Sequence, residues 1–171
     1  RAATAMKRCF ALLEGGEFER AEAAVAEARA ALHAHRGEHA RELGVCDAYA
    51  LALRLLRQIR VCERAGDAVY AALFARFLAE QVLQPKHRIV CMRMATRRNM
   101  EVGNYGIAAR FIRQLLPLRP PDAALLQERL RTCAEQRFKD ARLPTYLCPT
   151  CLQRVSSGPQ FCSVCMTPVD V

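Results

Sequence analysis

Apolar residues recur along this chain at intervals of three and four, the spacing that lines one face of an α-helix. The pattern restarts at each turn signal. A short first helix is predicted from about Ala5 to Leu13, closed by Gly15-Gly16. A second runs from Glu17 to about His35, with Phe18, Ala21, Val25, Ala28 and Leu32 on one stripe. A long third spans Arg41 to Arg64 through Val45, Tyr49, Ala52, Leu55, Ile59 and Cys62. Gly66-Asp67 breaks it, and Asp67 suits the N-cap of a fourth helix carrying Tyr70, Leu73, Phe74, Phe77 and Leu78. Gln84-Pro85 ends that helix, because the proline ring disfavours helical backbone at the residue before it. Pro85 itself suits the first turn of a fifth helix, where a missing N–H leaves nothing unpaired. The fifth carries Ile89, Met92, Ala95 and Met100, and a sixth carries Tyr105, Ala108, Ile112 and Leu115. After Pro117 and Pro120-Pro121, a seventh runs from Asp122 to about Gln136 through Ala123, Leu126, Leu130 and Cys133.

The connection between the fifth and sixth helices is so short that the two must lie antiparallel. Its residues, Gly103-x-Tyr105-x-x-Ala108, resemble the corner of a tetratricopeptide-like hairpin. Glycine turns the chain, the aromatic wedges between helices and alanine permits close approach. The same spacing occurs at Gly16-x-Phe18-x-x-Ala21. Two such corners between helical patterns point to stacked hairpins rather than a closed bundle. With no tryptophan and few β-branched runs, a sheet-dominated fold is not expected. The fold class is therefore all-α, a TPR-like α-solenoid of helical hairpins over residues 1–139, followed by a cysteine-bearing tail over 140–171.

Charge adds a second feature. The chain has 171 residues and a formal charge of +9, but Arg1 to Ala48 is close to balanced. The excess lies around the fifth and sixth helices, in Lys86, Arg88, Arg93, Arg97, Arg98, Arg110, Arg113 and Arg119 against Glu101. Such a face suits an acidic protein, nucleic acid or anionic lipid, and also an ordinary solvated surface. Aromatics other than Tyr105 and Phe111 are not interleaved with these charges, which disfavours single-strand stacking. Arg97, Arg98, Arg110 and Arg113 are the candidate partner-binding residues. No apolar run approaches the ~20 residues of a membrane span. Beginning at Arg1 rather than Met, the sequence is expected to be a piece of a longer polypeptide.

The strongest chemical signal is Cys148-Pro-Thr-Cys151 followed by Cys162-Ser-Val-Cys165. Two CxxC turns can place four thiolates around one ion, the tetrahedral set that Zn²⁺ favours, and Ser156-Ser-Gly158-Pro159 supplies the turn between them. Iron accepts the same ligands, and a disulfide framework is the reading for a secreted chain. Structural zinc in a small C-terminal zinc ribbon is the expectation, since four cysteines leave no open position for water. Cys9, Cys46, Cys62, Cys91 and Cys133 fall on or near apolar stripes and read as small buried hydrophobes. His33, His35 and His39 cluster at an irregular helix end, without the convergent geometry a metal needs. No nucleophile–base constellation, phosphate-cradling glycine loop or paired-acid motif is present, so no enzyme is expected.

The central residues Leu83-Gln84-Pro85-x-His87, Met92-Arg93-Met94-Ala95, Asn104-Tyr105, Ala108-Ala109-Arg110-Phe111 and Arg113-x-Leu115-Leu116 carry a family likeness. Gly16-x-Phe18-x-x-Ala21, Val45-Cys46-x-x-Tyr49 and Cys133-Ala134-Glu135 extend it. The chain resembles the C-terminal domain of the coatomer alpha subunit, part of the coat on Golgi-derived vesicles. That resemblance implies a non-enzymatic scaffold that holds the coatomer epsilon subunit, itself a helical-repeat protein. It implies a cytoplasmic protein, peripheral on Golgi membranes and transport vesicles. The two regular CxxC turns depart from the less regular cysteine spacing of the family's terminal region. An intraflagellar-transport-type scaffold end domain stays open beside it, as does a basic nucleic-acid-binding module with a zinc ribbon.

Overall fold

The computed structural model describes residues 1–35, 37–136 and 140–142. Seven α-helices and one short 3-10 turn, with no strand, make up the regular structure of these residues. The helices are α1 (Ala2–Glu14), α2 (Phe18–His33), α3 (Ala40–Arg64), α4 (Ala68–Ala79), α5 (Pro85–Glu101), α6 (Tyr105–Leu115) and α7 (Ala123–Glu135), with the 3-10 turn at Leu116–Leu118. Each helix packs chiefly on its neighbours in the chain, the arrangement of stacked hairpins α1/α2, α3/α4 and α5/α6 with α7 closing the stack.

Three hairpins share one corner. At each, a glycine in the left-handed region ends the first helix: Gly16, Gly66 and Gly103 have φ of 77°, 73° and 81°. The next residue's N–H reaches back five positions, from Glu17 to Leu12 O, from Asp67 to Cys62 O and from Asn104 to Asn99 O, each at 2.8 Å. These bonds satisfy carbonyls that the helix end leaves over, the Schellman arrangement. The expected repeat had two copies, and the fold has a third at Gly66. It is hard to read in sequence because Ala68 occupies the position of Phe18 and Tyr105. Asp67 caps α4 as expected, accepting from Tyr70 N at 3.2 Å.

The core follows the apolar stripes. Helix α4 sits between α3 and α5 and buries Ala71, Ala72, Leu73, Phe74, Ala75, Leu78 and Ala79. Its short alanines let both neighbours approach. Cys9, Cys46, Cys62, Cys91 and Cys133 are all free and buried, and burial pushes the thiols of Cys9 and Cys91 up to about 11. Not every expected stripe position is fully buried. Val45 is 40% exposed, because Cys46 turns inward in its place. Tyr105 is half-buried and packs against the edge of the core cluster rather than at its centre.

The chain returns to the third corner after α7. Asp140 Oδ1 accepts from Gly106 N at 3.1 Å, and Ala141 N donates to Asn104 Oδ1 at 2.9 Å. A carboxylate from a distant stretch thus caps α6, where the helix dipole favours negative charge. Asn104 is free for this role because its amide donates to buried Asn99 at 3.0 Å, and Asn99 in turn donates to Ala72 O and Ala95 O. The expected domain boundary after Lys139 falls immediately before this docked stretch. The four expected metal ligands, Cys148, Cys151, Cys162 and Cys165, lie outside the described residues, and so does the zinc ribbon they would form.

Candidate protein-interaction site

A polar relay links α1, α3 and α5, the first helix of each hairpin. Gln84 N–H can only donate, and it donates to Tyr49 Oη at 3.0 Å. Glu14 Oε1 lies 2.9 Å from His87 Nε2, and a carboxylate can only accept, so Nε2 carries the proton. Tyr49 Oη lies 2.6 Å from His87 Nδ1, and with the Gln84 N–H donating to Oη the hydroxyl hydrogen is left to point to that nitrogen. Lys86 reaches Glu14 from the solvent side. Hydrogen bonds from Lys86 and then His87 hold the Glu14 carboxyl below its ordinary value. The relay ties α1 to α3 and α5, one helix from each of the three hairpins. Phe10 seals it, with its ring centroid 4.7 Å from Tyr49 and 5.4 Å from His87.

A depressed folded pKa stabilises the fold above the carboxyl's unfolded value, near pH ~4.3, and that contribution disappears as pH falls through the folded value. Glu14→Gln is therefore expected to lower the urea midpoint at pH 7. The gap to wild type should shrink as pH drops below about 4. Equal gaps in denaturant titrations at both pH values would contradict the ion-paired role.

Beside the relay lies an apolar groove of ≈ 290 Å³, lined by Leu13, Phe18, Leu56, Leu78, Leu83, Val90, Cys91 and Met94, with Glu14 and His87 at one edge. Val90 is 62% exposed on its lip. Sequence reasoning missed both the relay and the groove. Glu14 and His87 are 73 positions apart, and only the stacking of hairpins brings them together.

The structure does not gather the four candidate arginines. Arg98 pairs with Glu63 of α3, so it is engaged within the chain, and its buried Nε has no hydrogen-bond partner among the described residues. Arg97, Arg110 and Arg113 are exposed and make no ion pair with any described residue. Arg110 opens instead into a polar cavity of ≈ 470 Å³ that it shares with Arg76, Arg142 and Asp140. Arg76 and Arg142 were not among the sequence candidates, because they sit on α4 and beyond α7, far from the central charge run. Elsewhere the basic excess is partly neutralised. Arg93 grips Asp122 with two bonds of 2.7 and 2.8 Å, which hold the start of α7 on α5 and keep the Asp122 carboxyl below its ordinary range.

The sequence matches a known family. The family model for the C-terminus of the coatomer (COPI) alpha subunit matches residues 7–147. The chain belongs to this coatomer alpha C-terminal family. A comparison with curated proteins gave no match. The coatomer match begins within α1 and runs through α7, so it covers all three hairpins and the return to the Gly103 corner. The family is a structural component of a coat that works with other coat subunits, which accords with a fold whose exposed features are surfaces. No described helix is long and apolar enough to cross a membrane. No group of His, Cys, Asp and Glu among the described residues could hold a metal ion.

Proposed function

We propose that this coatomer-alpha-type domain is a non-catalytic scaffold in Golgi–ER vesicle transport that binds a helical-repeat subunit of the same coat, of the epsilon type. The observation that carries the reading is the family match over all three stacked hairpins. Hairpin stacks offer extended surfaces to other proteins. Arg97, Arg110 and Arg113 supply exposed guanidinium groups that suit carboxylates of an acidic partner, with Arg76 and Arg142 beside Arg110. Arg98 belongs to the scaffold through Glu63. The tail contributes a structural Zn²⁺ held by Cys148, Cys151, Cys162 and Cys165, and the coat brings the domain to Golgi membranes as a peripheral protein. Partial neutralisation of the basic helices by Glu14, Glu63 and Asp122 favours a protein partner over nucleic acid.

Reversal of Arg97, Arg110 and Arg113 to glutamate tests the reading against the matching epsilon-type subunit. Rim charges chiefly set the association rate, so reversal is expected to slow association and flatten its salt dependence. An unchanged rate and salt dependence would mean that the partner docks away from these residues.

A further inference from the structure

We infer that the cavity between α4, α6 and residues 140–142 receives an acidic side chain of a partner protein, and that the returning chain completes it. The inference deepens the scaffold reading and rests on it for the kind of partner. Three guanidinium groups from separate stretches line the cavity: Arg76 on α4, Arg110 on α6 and Arg142 beyond α7. Arg110 and Arg142 are exposed there and pair with no carboxylate among the described residues. Arg76 donates through Nε to Glu80 Oε1 at 3.1 Å, which leaves its terminal N–H groups for another acceptor. Asp140 also lines the cavity, but its Oδ1 accepts from Gly106 N, and it makes no ion pair with any of these arginines.

The charge balance selects the occupant. Three guanidinium groups against the carboxylates of Asp140 and Glu80 leave one net positive charge. A single carboxylate balances it, whereas a phosphate monoester dianion beside Asp140 and Glu80 overshoots it. Guanidinium forks match a carboxylate with paired N–H donors. At ≈ 470 Å³ there is room for a glutamate or aspartate together with the backbone that carries it. Phe77 is half-buried and the Arg76 guanidinium lies over its ring at 5.9 Å, so a nucleotide base finds little ring face to stack on.

The third arginine depends on a short strap. Asp140 caps α6 through Gly106 N, and Ala141 N donates to Asn104 Oδ1. Arg142 follows directly and is held at the cavity by these two bonds. Asp140 therefore acts on an incoming carboxylate in two opposed ways. Its charge repels the ligand, and its cap keeps Arg142 within reach. The order of affinities among Asp140 variants is then not the one that charge alone predicts.

Fluorescence anisotropy of the whole chain at low ionic strength, with a labelled glutamate-rich peptide, its glutamine counterpart and a short RNA, tests this. Wild type is expected to bind the glutamate peptide, to release it as salt rises, and to bind the other two more weakly. Arg110→Gln and Arg142→Gln alter exposed side chains and should keep the wild-type melting curve. Each should weaken binding about fivefold. Arg20→Gln, an equal change of charge at an exposed position on α2, should change it little. Asp140→Asn keeps an acceptor for Gly106 and removes the charge, so it should bind at least as tightly as wild type. Asp140→Ala removes the same charge together with the cap, and should bind more weakly than wild type. Equal affinity of the two Asp140 variants, arginine variants no weaker than Arg20→Gln, or a preference for RNA would each overturn the inference. The epsilon-type subunit takes no part in this assay. A chain that binds the peptide as expected but not the subunit would count against the scaffold reading alone.

Discussion

Truncating Tyr49 to alanine is expected to cost about 3–5 kcal/mol, the range for deleting a large ring from a core. Tyr49 has no exposed surface, although it carries a hydroxyl. Its ring lies against Phe10 and its hydroxyl joins Gln84 to His87, so a single side chain supports α1, α3 and the break before α5. Burial raises its pKa above the ordinary phenol value. Tyr49→Phe separates the two contributions. It keeps the ring but leaves the Gln84 N–H and His87 Nδ1 without their partner, at a cost of about 1–3 kcal/mol. Tyr105→Ala should cost less than Tyr49→Ala, because its ring is only half-buried. Urea denaturation of the three variants gives the order. A Tyr49→Ala protein within about 1 kcal/mol of wild type would mean that the relay does not hold the hairpins together.

The contrast between these two tyrosines shows what the sequence made legible. The helices, the Pro85 start, the Asp67 cap and the buried cysteines follow from periodicity and local backbone chemistry, which act within a few residues. The Gly103 and Gly16 corners were readable for the same reason. Tyr105 stands beside a corner glycine, a local signal, yet its half-buried place at the edge of the core cluster is set by packing that no local pattern shows. Tyr49 looked like one more stripe residue, and its role depends on Glu14 and His87, which no local pattern connects to it. The arginines failed similarly. Charge density along the chain singled out Arg98 with Arg97, but the pairing with Glu63 depends on how α3 packs near α5. Arg76, Arg110 and Arg142 share one cavity although they come from three separate stretches.

Chelation is expected to have the second large effect. On the proposed zinc site, Cys148, Cys151, Cys162 and Cys165 would supply four thiolates within a stretch too short to bury a core, and metal binding would supply the free energy that orders it, on the order of 10 kcal/mol or more. The three hairpins, by contrast, have a continuous core over α3 to α7 and a second over α1 to α3. Protein purified under reducing conditions without chelator should therefore hold one zinc per chain. Stripping it should release four thiols to a thiol reagent while most of the helical circular dichroism remains. The five buried cysteines should stay slow to react, since burial raises their pKa values and shields them. Zinc content near zero would refute the site, and wholesale loss of helix on chelation would refute the independence of the hairpins. Asp140 and Ala141 tie the return of the chain to the Gly103 corner, so a small loss confined to α6 is compatible with independent folding of the hairpins.

The most direct test of the central claim, that this coatomer-alpha-type domain is a protein-binding scaffold, is a sedimentation titration of the chain with the matching epsilon-type subunit and, in parallel, with RNA at several salt concentrations. A scaffold of this kind should form a saturable complex with the subunit and bind RNA only weakly at low salt. Absence of a protein complex, together with RNA affinity that falls steeply and linearly in log–log salt plots, would contradict it and assign the basic helices to phosphate contacts.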